Sequence, residues 1–395
     1  MKKFISLLFC TLFISTSFSF AEGSLNQKKF VSGNIQDKTQ CVRTASGSEA
    51  ILLSKLALDF AISSKEVLGN DRDLDALAIA GILSIPAEYL NSSKENESKE
   101  IYDRFYKIYN LFEETNVKIA VLNRLTVFKT QDTRFPELLN DYLKKTLVSP
   151  EKDPLSKAVI STLGYIGNKD SFVILYLLYS DSVWEAHKEE LKKSVTLLLE
   201  KSIPQAVSII QTGSVKECQN IYELTVKNEK FSNKIYAEIA ENVLSRTITI
   251  YENSLNEEGL VELQYDAFSL LAKLQWTRSA RIAMKYFSMA KEQYEKGKLS
   301  ESQYCELIKN LPVIDPVDSV SAYCACINEF NQTAEKAISD SSVKLPSDKV
   351  LLAFISALGA IGDKNAFDTL LAVTYYSYPE EVITKARDAL ASLKW

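Results

Sequence analysis

One histidine, 12 glycines, nine prolines and six cysteines are spread over 395 residues, and each scarcity excludes something. With His187 alone, any Ser-His-Asp or Cys-His site would have to run through one position. That position lies in the charged helix start WEAHKEEL and reads as a solvated helix face. Low glycine and proline argue against many-stranded sandwiches and barrels, which need frequent turns. Neither a G-x-S-x-G elbow nor a G-x-x-x-x-G-K-[ST] phosphate loop occurs, and the cysteine and histidine count is too low and too scattered for a zinc cluster. The net charge of −5 gives no electrostatic footprint for nucleic acid or anionic lipid. No cofactor is called for.

What is present fits a folded, helical chain: 46% hydrophobic and 25% charged residues are ordinary for globular proteins. Met1-Lys2-Lys3 precedes an apolar run from Phe4 to Phe20 and small residues at Ser19 and Ala21, the pattern of a secretory signal peptide cut after Ala21. Phe9 before Cys10 is too bulky for a lipoprotein signal. Later stretches are too polar to span a membrane. Cleavage leaves five cysteines, Cys41, Cys218, Cys305, Cys324 and Cys326, an odd number, read as buried and inert. Residues 22–48, rich in Lys, Ser, Asn and Gln, read as a flexible N-terminal arm, and 49–395 as one helical array without interdomain linkers.

Sliding the chain on itself shows a repeat. Residues 158–172 match 353–367, an offset of 195, at nine of fifteen positions. Leu155, Ala158, Val159, Leu163 and Ile166 make one helical stripe. Asp153 caps it, Pro154 opens it, and Gly167 and Gly362 stand where the helix must stop. Gly164 and Gly359 lie inside the helix, at a cost of about 1 kcal/mol against Ala, which calls for a neighbouring helix in close approach. A second helix begins near Phe172 and Phe367, and a third carries Val382, Ala386, Ala389 and Leu393.

ALGAIGDKNAFDTLL, ending KARDALASL, resembles the short HEAT-type repeats also called phycobilisome-lyase-like repeats, clearly over 154–203 and 346–395 and in degenerate form between. Asn168 replaces the usual turn Asp in the earlier copy. The resemblance implies an α-solenoid of stacked antiparallel helix pairs, an armadillo-type superhelix, without bilin chemistry. Residues 292–301 also permit a tetratricopeptide-like pair, although the full spacing of that repeat is absent.

Tyr375, Tyr376 and Tyr378 occupy the turn before the last helix, and Trp184 lies in the aligned turn of the earlier copy. These are candidate contacts for a protein or peptide partner, or else rings that cap the core. Glu113-Glu114, Glu189-Glu190, Glu257-Glu258 and Glu380-Glu381 are adjacent carboxylates whose default role is solvated surface. The leading expectation is a non-enzymatic, exported interaction scaffold of the periplasm or cell envelope. A hydrolase using paired carboxylates and a purely structural envelope protein are the alternatives.

Overall fold

The computed structural model describes residues 25–90, 95–128, 132–146, 154–253, 257–339 and 345–394. The expected leader over 1–21, the cap at Asp153 and parts of the charged loops lie outside them. The fold is all-α, with the helices packed in sequential pairs, and it divides into two units, 1–198 and 199–395.

Unit 1 holds α1 (Leu25–Ser32), α2 (Ile35–Thr44), α3 (Gly47–Leu68), α4 (Arg72–Leu83), α5 (Glu95–Leu111), α6 (Thr115–Leu125), α7 (Arg134–Thr146), α8 (Pro154–Ile166), α9 (Lys169–Ser180) and α10 (Lys188–Leu199). α1 packs on α2, α3 on α4, α5 on α6 and α7 on α8. The even helices also touch one another in order, α2 on α4, α4 on α6 and α6 on α8, while α3 lies on α5 and α7 on α9. Two rows of helices result.

Unit 2 holds α11 (Ile203–Thr212), α12 (Val215–Val226), α13 (Asn233–Glu252), α14 (Leu260–Lys273), α15 (Ala280–Glu295), α16 (Glu301–Ile314), α17 (Asp318–Ser339), α18 (Asp348–Ile361), α19 (Phe367–Val373) and α20 (Glu380–Ala391), and repeats this plan from α13 onward. Here α14 lies on α16, α16 on α18 and α18 on α20, with α13 on α15 and α17 on α19.

The correspondence reaches single residues. Asn34 closes a capping box with Asp37 at the start of α2, and Ser214 closes one with Glu217 at the start of α12. Four residues after each cap a buried side chain reaches back to the preceding helix. Lys38 Nζ donates to the Phe30 carbonyl at 2.5 Å, and Cys218 Sγ donates to the Ile210 carbonyl at 3.6 Å. Val121, Leu122, Leu125 and Phe128 are buried along and just beyond α6, as are Leu307, Ile308, Leu311 and Ile314 along α16. Each unit also has an aromatic knot. Phe135 meets the edges of Tyr102, Tyr106 and Tyr109 at 5.2–5.7 Å, and Phe354 meets Tyr323, Phe330, Phe287 and Tyr304 at 5.1–6.3 Å. Such pairs add about 0.5–1.5 kcal/mol beyond burial.

The expected loose arm is corrected from residue 25 onward. Phe30, Cys41 and Val42 are buried against Leu53, Ala57 and Leu77, with Ile35 and Phe60 packed beside them. The polar residues that made this stretch look unstructured form the outward faces of α1 and α2. Lys38 and Thr39 are the exceptions: Thr39 is buried with its hydroxyl donating to the Ile35 carbonyl, and Lys38 is buried where its ammonium caps the carbonyls of Phe30, Val31 and Gly33, three partners for its three donors.

Candidate functional site

The repeated helix triple ends each unit, and its glycines account for its geometry. A Cβ on Gly164 would stand 2.9 Å from the Ser194 Cα; on Gly359 it would stand 2.9 Å from the Ala389 Cβ. These pairs are themselves 195 residues apart, so α8 crosses α10 and α18 crosses α20 at the same point, glycine against a small residue. Gly362 ends α18 in the left-handed conformation, φ 72°, as expected. Gly167 is different: its φ is not positive, and it is required because a Cβ would meet the Leu163 carbonyl oxygen at 2.3 Å. Asn168 caps α9 through a capping box with Ser171, and Asp363 accepts from the Asn365 N–H at the equivalent turn.

The two turns that follow diverge. In unit 1 the chain runs through a 3-10 segment, Ser182–His187, that drives Trp184 inward to 0% exposure. Trp184 is therefore a core residue and not a surface contact. His187 is likewise buried, with its ring 5.8 Å from that of Trp184, so the solvated-face reading is corrected. It occupies the place of Val382, which lies 195 residues on and is also buried. The charged neighbours Glu185, Lys188 and Glu189 made this helix start look exposed, whereas period 3.6 turns position 187 toward the core with Leu191.

In unit 2 the three tyrosines share the work. Tyr375 is 79% exposed. Tyr376 and Tyr378 are half-buried, their rings 6.2 Å apart. The Tyr378 hydroxyl donates to Oδ1 of buried Asn331 at 3.0 Å, and burial pushes its phenol up to about 12. Tyr378 thus secures the turn to α17 while Tyr375 is presented to solvent. Beside the turn, a recess of 440 Å³ lies between α18 and α20, with Glu380, Glu381, Asp388 and Lys385 in its lining.

The remaining carboxylate pairs lie on helix ends and loops with at least one member exposed. Several carboxylates have structural partners: Glu190 pairs with Lys157, which holds its carboxyl below the ordinary range, and Glu257 accepts from the Val215 N–H at 3.1 Å. Cys41, Cys218 and Cys326 are buried, Cys305 and Cys324 half-buried, and all five are free thiols. Burial pushes Cys218 up to about 12 and Cys326 to about 11, away from the thiolate that reactivity needs. Among the described residues no group of three His, Cys, Asp or Glu could hold a metal ion, and no helix is long and apolar enough to cross a membrane.

The sequence reading missed the small-residue stripe Ala353, Ser356, Ala357 and Ala360 on α18. Its signal was the i, i+3, i+4, i+7 spacing, hidden because alanine reads as core. No protein-family model matches the chain, and no curated protein or solved structure is detectably similar to it.

Proposed function

We propose that this chain is an exported, non-enzymatic scaffold of the bacterial periplasm or cell envelope, built on HEAT-like helix pairs, that binds a protein or peptide partner. The observation that carries the reading is the solvent-facing Tyr375, set beside an acidic recess on a framework whose other large aromatics are mostly buried. Tyrosine buries much area with few rotors and keeps a polar tip, which suits it to contact surfaces. Rows of paired helices offer long surfaces of this kind, and the leader-like start of the chain motivates export. The test is affinity purification of the protein from its own envelope fraction. A specific partner captured by the wild type and lost with Tyr375→Ser supports the reading. Absence of any specific partner contradicts it.

A further inference from the structure

Between α16 and α18 lies an open groove of 770 Å³. Ala353, Ser356, Ala357 and Ala360 form its floor along one face of α18, and Pro312 and Val313 stand on its α16 side. Four small side chains in one stripe leave the room. The matching stripe of unit 1, on α8, reads Ala158, Ser161, Thr162 and Tyr165. Three of the four positions stay small in both units; the fourth is a tyrosine in unit 1 and a bare methyl in unit 2.

Charge supplies a second indication. Ser356 lines both this groove and the recess between α18 and α20, so the two lie on either side of a low point of α18. On the far side Glu380, Glu381 and Asp388 stand against one lysine, Lys385. Arg387 lies 3.8 Å from Glu380, which leaves Glu381 and Asp388 as the acids available to a ligand.

We infer that the groove receives an aromatic side chain from a basic segment of a partner protein. The ring lies over Ala357 and Ala360, at the position where unit 1 carries Tyr165, and Lys or Arg residues beside it face Glu381 and Asp388. An aromatic ring buries about 150–250 Å² and supplies the affinity, while the acidic side sets partner and orientation. A second copy of this chain is a poor occupant: its exposed aromatic turn runs straight into Glu380-Glu381, the same sign as the recess. This proposal rests on the scaffold reading and specifies the partner's chemistry.

The experiment pans a random 12-residue peptide library displayed on phage against the purified protein, with counter-selection on Ala360→Tyr. That variant restores the unit 1 residue at an exposed position, and an unchanged melting temperature verifies its fold. The enriched peptides are expected to carry Phe, Tyr or Trp beside Lys or Arg. They should bind the wild type about tenfold more tightly than Ala360→Tyr. The double variant Glu381→Lys/Asp388→Lys, which leaves the groove open, should weaken them and reverse their salt dependence, because salt then screens a repulsion. Peptides that are acidic, lack an aromatic, or bind all three proteins alike overturn the proposal. If Ala360→Tyr and wild type capture the same envelope partner equally, the groove is wrong and the scaffold reading stands; if neither captures one, the scaffold reading itself fails.

Discussion

The two units solve the same burial problems with different chemistry. Where α3 and α4 meet in unit 1, the buried polar contact is ionic. Lys65 Nζ lies 3.7 Å from Asp75 and 4.3 Å over the Phe112 ring, and burial pushes the Asp75 carboxyl up despite the lysine. In unit 2, Gln264 takes the corresponding place on α14. It accepts from Gln293 at 2.8 Å and donates toward the Met289 sulfur, a neutral network in an equally dry position. Similarly, a buried tryptophan closes the turn before α10, while an exposed tyrosine caps the turn before α20. The plan therefore constrains which positions are buried far more than which residues fill them.

The ionic contact gives the largest expected contrast. Lys65→Met strands a buried carboxylate, which costs about 3–5 kcal/mol when one partner of a buried pair is removed. Gln293→Leu leaves a neutral amide short of a partner and should cost about 1–3 kcal/mol. Urea unfolding of the two variants measures the difference, and equal losses would remove the distinction between the units.

The turns come next. Trp184→Ala should destabilise by about 3–5 kcal/mol, the loss for a fully buried large aromatic. Proteolysis mapping should show unit 1 opening first. Wild-type melting of this variant would refute the buried placement.

A smaller effect concerns acid. Arg134 donates to both Asp132 and Asp103, and its hydrogen bonds hold the Asp132 carboxyl below the ordinary range. A depressed folded-state pKa means stability that is present above the unfolded value and lost as pH falls through the folded one. Asp132→Asn should flatten the acid limb of the stability curve, by less than about 1 kcal/mol because the pair is partly solvated. An unchanged acid limb would argue against that contribution. Least of all in stability, Tyr375→Ser should stay within about ±0.5 kcal/mol of wild type, in contrast to its half-buried neighbour Tyr378, whose Phe variant forfeits a hydrogen bond worth about 1 kcal/mol.

The helix triples were legible in sequence because a close crossing demands glycine opposite a small residue, and that demand fixes identity. The wider likeness of the units was not. Gly33 and Gly213 lie 180 residues apart, whereas Gly164 and Gly359 lie 195 apart, so loops of unequal length shift the register and no single offset aligns the chain. Positions such as Tyr102 and Phe287, or Asp75 and Gln264, share burial without sharing identity. Trp184 and His187 were misplaced because their charged neighbours outweighed the period of the helix. At the tyrosine turn the sequence grouped three rings that the structure divides, Tyr375 facing solvent and Tyr378 tied to Asn331.

Both units close on the same glycine-to-small-residue crossing. A paired double-mutant cycle tests it directly, measuring unfolding free energy for Gly164→Ala with Ser194→Gly and for Gly359→Ala with Ala389→Gly. Each alanine alone should destabilise despite its better helix propensity, within the range of about 1–3 kcal/mol typical of overpacking, more at Gly164, where the obstacle includes the Ser194 backbone at 2.9 Å. Adding the opposing glycine should recover part of the loss in both units, giving a coupling energy of at least about 0.5 kcal/mol. Strict additivity in either cycle would contradict the shared crossing.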